Sequence, residues 1–173
     1  MLILVDSREQ KPWTFRGHDT HRCTLQTGDY AMAPLEKSKY SDEDLNHLIC
    51  IDRKGSTSEL FQNVTQVRFK KEIERMKKFK HAYLILEFTV EDIMQYPFGS
   101  NIPRRRWRYL RVKPPFVMGF LTTLMLDGIQ VIFAGSPANA QKIALSLMKK
   151  VYSQLEDAKW ILKLKLKLSP SWL

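Results

Sequence analysis

Three short clusters of acidic and basic residues stand out in the first third of the sequence. They are V-D-S-R-E at Val5–Glu9, G-D-Y at Gly28–Tyr30 and I-D-R-K at Ile51–Lys54, with Glu59 close behind. Carboxylates can hold a divalent metal with open coordination positions, and such a metal activates water and offsets charge on a phosphodiester. A neighbouring lysine can stabilise the transition state. The clusters therefore indicate a site for metal-assisted phosphodiester hydrolysis.

The spacing within these clusters predicts which side chains share a face. Residues two apart on a strand point to the same side, so Asp52 and Lys54 would lie together while Arg53 points away. A hairpin could bring Asp29 opposite Asp52, and Asp6 could approach from the side. Mg²⁺ takes oxygen ligands and keeps several waters, so two or three carboxylates are sufficient. We therefore expect a Mg²⁺ site, in which Mn²⁺ can substitute, with the candidate ligands Asp6, Asp29, Asp52 and Glu59.

Each cluster taken alone also has a common structural explanation. A Gly-Asp pair usually forms a turn in which the aspartate bonds its own backbone. The D-x-R-E and D-R-K groups are often surface salt bridges or solvated strand ends. A site is favoured because all three clusters occur in this order, each at the end of an apolar stretch.

Five apolar segments predict the strands that must position these clusters. They are Leu2–Val5, Thr24–Ala33 with a bend at Gly28, His47–Asp52, Ala82–Leu86 and Ile129–Phe133. We expect the first three to form an antiparallel sheet and the fourth, which is nearly all apolar, to be central.

Helices are predicted between and after these strands. Apolar residues three or four apart indicate one buried stripe over Phe69–Lys80. Phe116–Leu126 is apolar, and Ser136–Gln154 opens with a serine cap and a proline. Pro34–Asn46 reads as an exposed loop. The alternation of Leu and Lys within Lys159–Leu168 has the periodicity of a strand. Three alternatives remain for this segment, namely an edge strand, a partner-binding arm or a frayed tail. These elements predict a single-domain α/β fold, a mixed sheet flanked by helices.

The composition is that of a basic globular protein. The 173 residues carry 28 Lys and Arg against 18 Asp and Glu, a formal net charge of +10. Such a charge favours a polyanionic partner, although a ribosomal-type or merely soluble basic protein has the same composition. Cys23 and Cys50 show no metal or disulfide spacing and are expected to be reduced core thiols. With no signal peptide or membrane-spanning run, we expect an intracellular protein without a membrane partner, cytoplasmic, or nuclear if the host has a nucleus.

A basic segment within the irregular region Phe98–Pro115 is the candidate nucleic-acid contact. Arginines can pair with phosphates, and interleaved aromatic residues can stack on unpaired bases. The alternative is a solvated basic loop whose aromatic residues tuck into the core. The candidate DNA-binding residues are Arg104, Arg105, Arg106, Trp107, Arg108, Arg111 and Lys113.

The three clusters, taken in order, resemble the nuclease domain of the XPF family of structure-specific endonucleases. The signature of that family runs D-x-R-E, G-D, E-R-K and then an acid after three further residues. The likeness continues through a basic helix into A-Y-L-I-L-E at Ala82–Glu87, and through a later helix, strand and helix. The resemblance implies a restriction-endonuclease-like core and a metal-dependent endonuclease that hydrolyses branched, flapped or junction DNA.

Carried over residue by residue, the resemblance assigns roles to the clusters. Asp29 would be a metal ligand, Asp52 would be a second ligand, and Lys54 would be the catalytic lysine. Arg53 matches the arginine of E-R-K directly, and the residues that match D-x-R-E, which are Asp6, Arg8 and Glu9, would line the site.

Two positions depart from the family signature. Asp52 stands where the family has glutamate, and Ser58 stands at the place of the final acid. We take Glu59 as the matching acid because Leu60 follows it, as a leucine commonly does in the family. A ligand displaced by about an ångström can lower a rate on the order of a hundredfold. The alternative is therefore a catalytically weak or silent DNA-binding scaffold that positions an active partner. A generic RNA-binding domain is a third reading, which leaves the ordered acids unexplained.

The domain organisation predicted from this resemblance is a nuclease domain over residues 1–155 and a basic C-terminal extension over residues 156–173. Larger members of the family add a helix-hairpin-helix module, which this sequence does not show. Substrate geometry would then depend on this domain, a partner chain or dimerisation. By analogy, a homodimer or heterodimer is expected through the C-terminal helices, Phe116–Leu126 and Ser136–Gln154, for which ordinary core packing is the alternative.

Overall fold

The computed structural model describes residues 1–33 and 48–168, with side chains described up to residue 157. Its strands are β1 Leu2–Asp6, β2 Thr20–Cys23, β3 Tyr30–Ala33, β4 Ile49–Lys54, β5 His81–Leu86 and β6 Gln130–Phe133. They form one mixed sheet in the order β2-β1-β3-β4-β5-β6. β3 pairs antiparallel with β1 and β4, whereas the other neighbouring strands are parallel.

Helices cover both faces of this sheet. They are α1 Thr57–Asn63, α2 Val67–Met76, α3 Val90–Met94, α4 Pro114–Leu126 and α5 Pro137–Leu168, with a short 3-10 helix at Arg104–Tyr109. Because strand side chains alternate between faces, Leu84 and Leu86 pack into the core formed with α1 to α4. Tyr83 and Ile85 point to the other face and pack into the core formed with α5. The sheet is therefore the middle of three layers.

The predicted α/β fold class is confirmed, and β1, β3 and β4 form the antiparallel group expected of the first three strands. The prediction that strand structure begins at Thr24 is wrong, since β3 begins at Tyr30. Gly28 has φ +75°, and this left-handed turn interrupts extended pairing before β3. The predicted loop Pro34–Asn46 and the first residue of the predicted strand at His47 lie outside the described residues.

The last helix contradicts one alternative for the chain end. α5 continues to Leu168, so the edge strand over Lys159–Leu168 is wrong. Leu and Lys are both strong helix formers, and the segment from Leu162 onward has no β-branched residue. α5 also runs across the predicted domain boundary at residue 155, which stays a prediction. None of the helices within the described part of the chain is long and apolar enough to cross a membrane.

Candidate active site

The turn before β3 positions Asp29 and requires glycine at the preceding residue. A Cβ on Gly28 would lie 2.6 Å from the Cys50 Sγ and 2.9 Å from the Ile51 carbonyl oxygen, and its φ is +75°. The Asp29 N–H donates to the Ile51 carbonyl (2.8 Å), and the Asp29 carbonyl accepts from the Asp6 N–H (2.8 Å). The backbone of Asp29 is therefore tied to β1 and to β4.

The end of β4 carries a buried ion pair. Asp52 and Lys54 are 2% and 4% exposed, and the Lys54 Nζ lies 2.5 Å from the Asp52 Oδ2. The Lys54 ammonium also lies 4.9 Å from the ring centroid of Phe69 on α2. Arg53, between them in sequence, turns to other partners, but its N–H donates to the Asp29 Oδ2 (2.7 Å). Strand alternation therefore pairs Asp52 with Lys54 and leaves the backbone of Arg53 to orient Asp29.

The acids in this site repel one another. Burial, followed by the charge of Asp52, raises the pKa of Asp29 to about 8, although Lys54 opposes the shift. Burial raises the pKa of Asp52 to about 6 against the opposing charge of Lys54, and the charges of Glu72 and Glu59 add to the increase. Burial alone would lower the pKa of Lys54, but Asp52 and Asp29 outweigh it and raise that pKa. The site therefore holds more negative charge than one ammonium balances.

Arg53 is held by a buried network. It binds Glu87 at two points, through Nε (2.7 Å) and Nη2 (2.9 Å), and its Nη1 donates to Glu9 (3.1 Å). The Trp13 indole N–H also donates to Glu87 (2.7 Å). A Cβ on Gly55 would lie 3.2 Å from the Arg53 Nη2, so a small residue there leaves space for this pair. Arg53 is therefore a fixed element of the site wall, with little rotamer freedom.

Asp6 and Arg8 form a separate ion pair at the end of β1. The Asp6 carboxylate accepts from the Arg8 N–H (2.7 Å), Nε (2.9 Å) and Nη2 (2.6 Å), and from the Leu25 N–H (3.1 Å). The hydrogen bonds from Arg8 outweigh burial and lower the pKa of Asp6. Asp6 is 1% exposed, whereas the Arg8 side chain is 57% exposed. Asp6 thus orients Arg8, and its own oxygens are already occupied.

Glu59 lies at the start of α1, where Ser56 caps the helix. The Ser56 Oγ accepts from the Glu59 N–H (3.2 Å), and the Glu59 Oε2 accepts from the Gly55 N–H (3.0 Å). This arrangement fixes Glu59 at the site while it stabilises the helix terminus. Ser58, the alternative position for the final acid, is half-buried in the same turn.

Two adjoining cavities, of about 550 and 270 Å³, bring these groups together. The acids that line one or both are Asp6, Glu9, Asp29, Asp52, Glu59 and Glu72. Glu72 on α2 was not predicted, because an acid on the polar face of an amphipathic helix gives no signal. Glu87 was missed as well, although an acid directly after an apolar strand is the signal that identified Asp6.

The donor set fits a hard cation such as Mg²⁺, because carboxylate oxygens share one cavity beside a single buried ammonium. Within residues 1–33 and 48–168, however, no three His, Cys, Asp or Glu side chains stand in an arrangement that could already hold a metal. A metal would therefore have to compete with Lys54 for Asp52. Asp29, Asp52 and Glu59 are the residues that would hold it.

The basic segment forms the exposed 3-10 helix at Arg104–Tyr109. Its arginines are exposed, and the Trp107 indole N–H donates to the Ile102 carbonyl (2.8 Å). Tyr109 is 67% exposed, whereas Trp107 is half-buried. Asn101, just before this helix, lines the larger cavity beside Arg8 and Asp29. The basic segment therefore begins three residues after a residue at the rim of the site.

Fold and site together define a restriction-endonuclease-like α/β domain, with its acids and lysine at the ends of two central strands. The ERCC4 domain family model matches residues 5–147. The chain therefore belongs to the ERCC4 domain family, the XPF-type nuclease domain that the three clusters indicated. No similar sequence was found among curated proteins.

Two solved structures show the same fold. XPF from Aeropyrum pernix has a TM-score of 0.60 and 18% identity, over all of this chain and 76% of that chain. XPF from Aeropyrum pernix in complex with DNA has a TM-score of 0.60 and 18% identity, over 88% of this chain and 66% of that chain. At this identity the likeness establishes the architecture.

Proposed function

We propose that this chain is a divalent-metal-dependent endonuclease that hydrolyses phosphodiester bonds in branched, flapped or junction DNA. The observation that carries the proposal is the buried Asp52–Lys54 pair, which shares a cavity with Asp29 and Glu59. Membership of the ERCC4 domain family supports a nuclease. That a similar fold is known in complex with DNA supports DNA as the substrate.

The roles of the side chains follow from their positions. Asp29, Asp52 and Glu59 would hold Mg²⁺ or Mn²⁺, which when bound supplies activated water and charge compensation at the phosphate. Lys54, kept charged by its acidic neighbours, offsets charge that develops on the phosphate in the transition state. Asp6 stays outside this ligand set because four hydrogen bonds occupy its carboxylate.

Two arginines have different tasks in this proposal. Arg53 is half-buried and held by Glu87 and Glu9, so it fixes the wall and presents its N–H to Asp29. Arg8 is anchored by Asp6 yet 57% exposed at the cavity rim. An exposed, pre-oriented guanidinium suits a DNA phosphate, and Arg8 is therefore assigned to substrate binding.

A second candidate function is a catalytically silent scaffold of the same fold that binds DNA and positions an active partner. Two observations favour it, namely the short side chain of Asp52 and the absence, within the described residues, of a preformed metal-holding group. Both functions predict DNA binding, so cleavage separates them.

The decisive experiment measures cleavage of labelled flap, fork, bubble and linear duplex DNA with Mg²⁺, Mn²⁺ or a chelator. The enzyme is expected to cut near junctions only with metal, and Asp29→Asn or Lys54→Ala should abolish cutting while DNA binding persists. Lys78→Ala, at an exposed turn residue just after α2, removes the same charge outside the cavities, and this variant should cut normally. Binding without cutting in every metal condition would establish the scaffold.

The basic segment is proposed as a DNA contact. Replacing Arg104, Arg105 and Arg106 by alanine should weaken DNA binding. The slope of the logarithm of the binding constant against the logarithm of the salt concentration should become shallower by about 0.9 per lost phosphate contact. A control that removes Lys149 and Lys150, exposed on α5, should retain the salt slope. An unchanged slope in the arginine variant would show that the segment is a solvated loop that does not contact DNA.

The partner surface is proposed on α4. Its residues Val117, Leu121 and Leu124 are buried in the core, whereas Phe116 and Leu126 are 56% and 85% exposed. Sedimentation of the protein and of Leu126→Glu tests this surface. A wild-type dimer that becomes monomeric in the variant supports a homodimer through α4. If the wild type is a monomer, the homodimer is ruled out and the partner of α4 would be a different chain.

A further inference from the structure

Helix α2 brings an acid into the site that belongs to none of the three clusters. Glu72 lines the larger cavity together with Asp29 and Glu59, and the smaller cavity together with Asp52 and Lys54. Like Glu9, Asp29 and Glu59, it therefore borders both cavities, although it lies thirteen residues beyond Glu59 in the sequence.

The position of Glu72 is fixed by two sets of contacts. Its Oε1 accepts from the N–H of Gly28 (3.1 Å), the residue directly before Asp29. On the same helix, Phe69, Ile73 and Met76 are buried in the core, so the helix cannot rotate without exposing them. A carboxylate can accept from a backbone N–H through one oxygen and bind a cation through the other. The anchoring by Gly28 is therefore compatible with metal binding.

The two departures from the family signature, at Asp52 and at Glu59, weaken the ligand set that the signature supplies, so a further carboxylate would strengthen metal binding. Asp52 is one methylene shorter than glutamate and is paired with Lys54 at 2.5 Å. Glu59 is held at the helix terminus by the Gly55 N–H. Glu72 has a longer side chain than Asp52 and approaches from the helix opposite the strand end.

We propose that Glu72 is a carboxylate ligand of the divalent cation, together with Asp29, Asp52 and Glu59. Because these described side chains do not already stand in a metal-holding arrangement, they would have to move closer together when the cation binds. This inference rests on the proposed metal-dependent nuclease. With Glu72 in the set, the cation is held from β4, from α1, from α2 and from the turn before β3. The shorter reach of Asp52 is then offset by a ligand from outside the family signature.

A structural role for Glu72, limited to anchoring the Gly28 turn, is the competing explanation. Glu72→Gln separates the two, because glutamine keeps an oxygen that accepts from Gly28 but loses the charge that binds metal. The matched control is Glu74→Gln, which makes the same change on the same helix at a side chain that is 68% exposed and paired with Lys77.

The test measures Mn²⁺ binding to the full chain without DNA, by electron paramagnetic resonance, together with thermal unfolding in chelator. Glu72→Gln is expected to unfold no earlier than the wild type and to bind Mn²⁺ about tenfold or more weakly. Glu74→Gln should bind as the wild type does. If the wild type binds Mn²⁺ and Glu72→Gln binds it equally well, the role of Glu72 is overturned and the metal site stands. If the wild type binds no Mn²⁺, both proposals fail.

Discussion

Replacing Asp29 by asparagine should stabilise the metal-free protein at neutral pH. The pKa of Asp29 is raised from 3.8 to about 8 by burial and by the charge of Asp52. The folded state therefore holds a proton that the unfolded state releases, and stability falls as pH rises from about 4 to about 8. Asparagine is neutral throughout, and its side-chain oxygen can still accept from the Arg53 N–H.

The size of this effect follows from the shift. At about 1.4 kcal/mol per pKa unit, four units set an upper limit of roughly 6 kcal/mol. Asp29 is only half-buried, so solvent screening reduces the penalty, and we expect about 2 kcal/mol near pH 8. Near pH 4 the difference between the wild type and the variant should be small, because Asp29 is then protonated in the folded state and still about half protonated in the unfolded state.

The assay is urea unfolding in chelator at several pH values between about 4 and about 8. Asp19→Asn, the same change at an exposed side chain, serves as the control and should stay parallel to the wild type. Added Mg²⁺ should stabilise the wild type but leave Asp29→Asn unchanged. A variant that is less stable than the wild type at pH 8, or a difference that does not grow with pH, would refute the reasoning.

Two further predictions concern the groups that hold the site. Gly28→Ala should destabilise the fold by about 3 kcal/mol in urea unfolding, because a left-handed backbone and a close contact both oppose a Cβ. Gly99→Ala has a similar φ of +73° but no atom near its Cβ, so it should lose only about 1 kcal/mol, and equal losses would contradict the contact argument. Glu87→Gln should lose on the order of 3 kcal/mol, because Arg53 is left without its buried partner. The exposed change Glu91→Gln should have little effect, and a similar loss there would remove the special role of Glu87.

The sequence predicted the interior of the fold better than its margins. β5 is apolar from Ala82 to its last residue and β4 is apolar over Ile49–Ile51, and both strands were predicted from these apolar runs. β2 was missed because Thr20–Cys23 is mostly exposed at the sheet edge and has no apolar alternation. Short edge strands are formed by pairing with a neighbour, here β1, and not by their own pattern.

The candidate site was predictable where its residues are consecutive along a strand. The pairing of Asp52 with Lys54 follows from strand alternation alone. The contacts of the other acids do not follow in this way. Asp6, a candidate ligand, lines the larger cavity, but its carboxylate accepts hydrogen bonds from Arg8. A carboxylate two residues before an arginine can accept from both the backbone N–H and the guanidinium of that arginine, so local partners compete with more distant ones. Only the three-dimensional arrangement separates these two uses of an aspartate.

Helix α2 connects the parts of the site that the clusters leave apart. Phe69 lies beside the Lys54 ammonium, Glu72 accepts from the Gly28 N–H, and Arg75 donates to the Thr27 Oγ1 (3.1 Å). These three residues are spaced three apart and contact both the end of β4 and the turn before β3. A displacement of α2 would thus move the lysine environment and the Asp29 turn together. The geometry of the site is therefore set as much by this helix as by the motifs, and substitutions on its inner face should change metal binding without altering any motif residue.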